Sequence, residues 1–150
     1  MRWLGISRTL AAVAAVVTGG LVVALGPSTP AVAYFSPPLF LDIRVDSPAY
    51  LVAGGAAVNV PVEVICTSDT AYVTVSITES VKGKVAQGST YANVGCTHAW
   101  QQFLMTVPAS GGGVAFAAGS ALAQASTSAC TSDYQTCGAE RNTATIRLRR

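Results

Sequence analysis

The chain has 150 residues, 11% of them charged and 51% hydrophobic, whereas an average soluble protein carries about 25% charged residues. That length suits one domain. Arg2 and Arg8 lie in the first 33 residues, so residues 34–150 carry seven basic and seven acidic side chains; without a basic stripe to neutralise phosphates, nucleic acid is excluded as a partner.

Met1 to Arg8 carries two arginines and no acid, Leu10 to Leu25 is almost wholly apolar, and Pro27 and Pro30 precede Ala31-Val32-Ala33. This three-part layout predicts a cleaved secretory signal peptide over 1–33. The apolar run is 16 residues, short of the roughly 20 that cross a bilayer. No stable membrane insertion is expected after cleavage.

Residues 34–39 form an extended, proline-stiffened lead-in. Residues 40–46 alternate Leu41, Ile43 and Val45 with Asp42, Arg44 and Asp46, the period of a strand. Ser47-Pro48 and Gly54-Gly55 bracket a turn region. Val58, Val60, Val62, Val64 and Cys66 then share one face of a second strand. Pro61, which has no amide hydrogen, predicts an edge position or a bulge there.

The clearest strand is 71–78, with Ala71, Val73, Val75 and Ile77 on one face and Tyr72, Thr74, Ser76 and Thr78 on the other. Lys82-Gly83-Lys84 predicts a turn, residues 85–87 and 91–96 weaker strands, and residues 100–107 another strand. Ser110-Gly111-Gly112-Gly113 predicts a turn. Residues 114–128 are alanine-rich, which suits a helix. Gly119 and the period-2 row of small residues at 119, 121, 123 and 125 tip the reading to strand. Finally 143–149 alternates, with Ala144, Ile146 and Leu148 inward.

Seven or eight short strands with turns every 8–12 residues predict an all-β, antiparallel β-sandwich, with Trp100, Phe103 or Phe116 at its centre. All four cysteines, Cys66, Cys96, Cys130 and Cys137, lie beyond residue 33, and an even count in an exported domain reads as a disulfide framework. Three pairings are open. The favoured one, Cys66–Cys96 with Cys130–Cys137, joins near neighbours across predicted strand pairs. A zinc site at Cys96-Thr97-His98 is the rival. The other spacings fit no common zinc pattern, so neither metal nor cofactor is expected.

The Ala-x-Ala leader, the valine-rich strand ending in Cys66 and the Ser/Thr-rich strand at 70–79 resemble a group of small secreted actinobacterial proteins of unknown function. Cys96 shortly before Trp100 and the row Gly119-x-Ala121-x-Ala123-x-Ala125 extend the likeness over roughly 57–150. The resemblance implies an immunoglobulin-like sandwich and assigns no site. The 30-residue separation of Cys66 and Cys96 is shorter than that of an antibody core bridge.

Few residues offer chemistry. His98, the only histidine, stands in no Ser/His/Asp or glutamate–histidine motif. The carboxylates, Glu63 and Glu79 among them, are dispersed, whereas a glycosidase needs two facing each other. Trp100 is expected to be buried rather than displayed to a carbohydrate. The basic spots at Lys82–Lys84 and at Arg147, Arg149 and Arg150 are expected to keep edges soluble. The segment from Cys130 to Cys137 stands out, because a bridge there clips six residues into a rigid loop. Asp133, Tyr134 and Gln135 are its candidate binding residues. The resulting expectation is a secreted, non-enzymatic binding or structural module whose partner is a protein or a cell-wall component. A protease inhibitor or antimicrobial effector using the same loop is the second reading, and a small extracellular hydrolase the third.

Overall fold

The computed structural model describes residues 38–110 and 114–150. The predicted signal peptide, most of the lead-in and the glycines of the 110–113 turn lie outside those residues. Eight strands follow in chain order: β1 (Leu41–Val45), β2 (Ala49–Val52), β3 (Ala57–Cys66), β4 (Thr70–Val81), β5 (Lys84–Gly95), β6 (Gln101–Pro108), β7 (Gly119–Cys130) and β8 (Cys137–Arg149). The only helical element among the described residues is a single 3-10 turn at Ala53–Gly55.

The hydrogen-bonded path runs β1-β3-β2-β8-β7-β4-β5, with β6 on the other side of β3. This path folds over on itself, so that β1 faces β7 and β8 while β6 faces β5 and β4. One layer is therefore β1-β3-β6 and the other β2-β8-β7-β4-β5, the immunoglobulin-like arrangement. The first edge switches layers at the cis Ser47–Pro48 bond. β1 pairs with the second half of β3, and β2 pairs with its start. β2 also runs parallel to β8, Ala49 opposite Leu148, the one departure from the antiparallel expectation.

Alternation decides the core. Val58, Val60, Val62, Val64 and Cys66 of β3 face Ala71, Val73, Val75 and Ile77 of β4 and Ala121, Ala123 and Ala125 of β7, all buried. The alanines are small because they lie under the β1–β3 layer, where valines and isoleucines fill the space between sheets. Ile43, Met105, Val107, Ile146 and Leu148 extend that core. Phe116 is buried and Phe103 half-buried, as expected of centre-filling residues.

Six expectations are corrected. The predicted turn region between Pro48 and Gly54 holds strand β2, and the last strand starts at Cys137 rather than 143. Trp100 does not fill the centre. It sits just before β6, 38% exposed, with the Arg44 guanidinium 4.1 Å from its ring centroid, a cation–π contact at the surface. Pro61 lies within a central strand, because its missing amide hydrogen points at the gap between β1 and β2. The Asp46 amide there donates to the Pro61 carbonyl at 3.0 Å and no ladder partner is needed. The two weak strands at 85–87 and 91–96 are one, β5, continuous through Gly88. Of 114–128, only the part from Gly119 on is strand; residues 114–118 are irregular.

Both proposed bridges are present, Cys66–Cys96 and Cys130–Cys137. Cys66 ends β3 in one layer and Cys96 follows β5 in the other, so this bridge staples layer to layer. It is not the antibody arrangement, since β7 contributes no partner to it. The chain-entropy relation gives about 3.5 kcal/mol for the longer closure and about 2.4 kcal/mol for the shorter one. Both bridges lie at the same end of the sandwich, where Thr70 pairs with Gly95 and Cys130 with Cys137.

Candidate functional site

The site is built on the β7–β8 hairpin. Cys130 and Cys137 are directly opposite in the ladder, and beyond them the Thr131 amide donates to the Thr136 carbonyl at 2.8 Å. The bridge thus spans a non-hydrogen-bonded pair, where strands approach most closely. The Thr131 carbonyl then accepts the Tyr134 amide at 2.8 Å, closing a turn through Ser132 and Asp133. Tyr134 follows in the left-handed region at φ 56°.

The side chains of this loop have separate tasks. Asp133 Oδ1 accepts from the Thr131 hydroxyl at 2.5 Å and from the Gln135 amide at 3.1 Å. The Gln135 side-chain amide donates to the Asp133 carbonyl at 3.3 Å, and the Thr136 amide donates to the Thr131 hydroxyl at 3.1 Å. Short polar side chains that satisfy nearby backbone groups fix a turn in this way. Asp133 and Gln135 organise the loop, and Tyr134, 79% exposed, is what it displays.

Tyr134 does not stand alone. A groove of about 320 Å³ runs beneath the loop, bounded by Tyr134 and Ser128 on one side and by Tyr72, Asn93, Thr70 and the carboxylate-bearing Asp69 on the other. A second hollow of about 410 Å³ shares Tyr72 and Ser128 and continues toward Arg141. Register brings these residues together, since Tyr72 of β4 lies opposite both Asn93 of β5 and Ser128 of β7. Tyr91 is the diagonal neighbour of Tyr72 across the β4–β5 ladder, and the two rings stack with centroids 5.6 Å apart. Sequence reasoning missed Tyr72, Tyr91 and Asn93. The available signal was the outward parity of Tyr72 on a strand whose other face is apolar from Ala71 to Ile77.

The remaining candidates disperse. His98 is exposed in the loop between β5 and β6 with φ 62°, and its neighbour Cys96 is committed to a disulfide. Among the described residues no three His, Cys, Asp or Glu side chains gather at metal-binding distance. Glu79 is buried, and its Oε2 accepts the Ala117 amide at 2.9 Å, so it faces no cleft. Arg147, Arg149 and Arg150 line a shallow hollow at the opposite end of the molecule. No described helix is long and apolar enough to cross a membrane.

No family model and no curated protein matches the chain. Among solved structures it is similar to AggA, the major subunit of aggregative adherence fimbriae type I from Escherichia coli. The TM-score is 0.40 at 11% identity, covering 76% of this chain and 96% of that one.

Proposed function

We propose that the chain is an exported, non-catalytic recognition module. It takes its partner in the groove between the Cys130–Cys137 loop and Tyr72 with Asn93. The observation that carries this reading is the loop itself: bridged at its base and hydrogen-bonded across its interior, it holds an exposed Tyr134 over a groove. A pre-ordered loop loses little entropy on binding, and tyrosine anchors interfaces through a large surface with few rotors. Two disulfides in a chain of this size fit an oxidising compartment, in line with the leader.

The geometry favours neither alternative reading. A loop that inhibits a protease by occupying its cleft presents an extended segment, whereas residues 131–134 form a tight turn. A glycosidase needs two facing carboxylates, and Glu79 is turned into the core.

The test is sedimentation with the insoluble envelope of the cells that make the protein. Wild type should be retained and Tyr134→Ala bound about tenfold more weakly, the loss expected of an interface anchor. Wild type left in the supernatant, or a variant retained equally well, refutes the reading.

A further inference from the structure

The outward rows of β5, β4 and β7 make up a platform without a single charged side chain. β4 presents Tyr72 and a line of Ser and Thr, β5 presents Gln87, Ser89, Tyr91 and Asn93, and β7 presents a line of Ser with Gln124 and Leu122. In a chain that alternates strictly, these positions were free to carry Lys, Glu or Arg, the usual solubilising residues of a strand face. They carry hydroxyls and amides, groups that both donate and accept hydrogen bonds.

Two aromatic rings lie on this field. Tyr91 is 69% exposed and Tyr72 43% exposed. Their stacking, with centroids 5.6 Å apart, orients both rings and joins them into one exposed aromatic patch. The rows continue from Tyr72 into the groove below Tyr134, where Asn93, Ser128 and Thr70 offer further hydrogen bonds beside one carboxylate, Asp69.

We infer that this groove and platform bind a neutral polysaccharide, lying from beneath the Cys130–Cys137 loop over Tyr72 and onto Tyr91. The inference rests on the recognition reading above and names the ligand class of that site. The C–H faces of pyranose rings match the electron-rich faces of tyrosines. Their hydroxyls exchange water for Ser, Thr and Asn partners, and they can donate to the exposed Asp69 carboxylate that lines the groove. A polyanion would meet the Asp69 carboxylate in the groove, and the nearest cation on this face, Arg141 of β8, lines its hollow together with Glu140. A protein partner would bury an apolar centre, but the large aliphatic side chains here, Val85 and Leu122, sit in the half remote from the groove.

The experiment repeats the envelope sedimentation after two treatments: periodate, which cleaves the vicinal diols of sugars, and proteinase K. Retention should vanish after periodate, survive proteinase K, and persist in about 0.5 M NaCl, where unit charges are screened within a few ångströms. Tyr91→Ala, remote from the loop, should weaken retention about tenfold, and Tyr91→Phe, which keeps the ring, should restore it. Retention lost to proteinase K but not periodate, or lost to salt, overturns the glycan inference while leaving the recognition module standing. Wild type not retained on untreated envelope sinks both.

Discussion

Glu79 Oε2 accepts the backbone amide of Ala117 from inside the sandwich, at 2.9 Å. Glu79 occupies the inward row of β4 below Ile77, where the sequence pattern calls for an apolar residue. Its carboxylate ties the irregular 114–118 segment to the sheet. The same segment is held from the other side by the Phe116 amide, which donates to the Gly55 carbonyl at 2.9 Å. Glu79→Leu removes the acceptor and strands an amide, so it should lower the free energy of unfolding by about 1–3 kcal/mol. Glu79→Gln keeps an acceptor and should lose less. Urea titration of both variants checks the order.

Thr127 lies opposite Val73 on the inward row of β7, 1% exposed, and its hydroxyl has no hydrogen-bond partner among the described residues. Replacing it by the isosteric valine removes a buried polar group with no bond to lose. Thr127→Val should therefore stabilise the fold by about 1 kcal/mol, a rise of about 4 °C in Tm for a domain of this size. Differential scanning calorimetry reads it directly.

At Gly88 the edge strand β5 meets the end of β6. A Cβ there would come within 2.0 Å of the Pro108 carbonyl oxygen, and next to it the Ser110 amide donates to the Gln87 carbonyl at 2.7 Å. Backbone cannot yield as a side chain does. Gly88→Ala should cost about 2–3 kcal/mol by overpacking and raise hydrogen exchange at Ser110, with Tyr91 binding unaffected at temperatures where the variant is folded.

The two bridges should separate stability from recognition. Cys130→Ser with Cys137→Ser opens the shorter closure and should lose about 2.4 kcal/mol, together with the pre-ordering of Tyr134. Cys66→Ser with Cys96→Ser should lose more stability, about 3.5 kcal/mol, yet leave envelope retention intact while the domain is folded. Denaturation and sedimentation on the same two variants decide this.

The strands were legible wherever one face is buried and the other wet, because a period of two is then forced on the sequence. Val58 to Cys66, Ala71 to Ile77 and Ala121 to Ala125 are such rows. β8 starts at Cys137 rather than 143 because Gly138 to Arg141 extend past the core, exposed or only half-buried, where no apolar alternation is required. β2 hid between Pro48 and Gly54, since four residues carry too little pattern. Trp100 misled because residue type predicts burial while place in the fold decides it: the Arg44 guanidinium covers its ring in the open. The clipped loop of the site was readable from Cys130 and Cys137, whereas its other wall was not. Tyr72, Tyr91 and Asn93 meet through strand register, which one sequence does not state.

The Thr67 hydroxyl donates to the Pro38 carbonyl at 3.1 Å and accepts the Phe40 amide at 2.8 Å, so the described chain begins at the double-bridged end, whereas β8 finishes at the far one. The domain consequently has a front and a back for anyone who wishes to attach it to something. A label, bead or surface coupled behind Arg150 leaves the tyrosines facing bulk liquid, while a fusion placed ahead of Pro38 crowds the groove it was meant to report on.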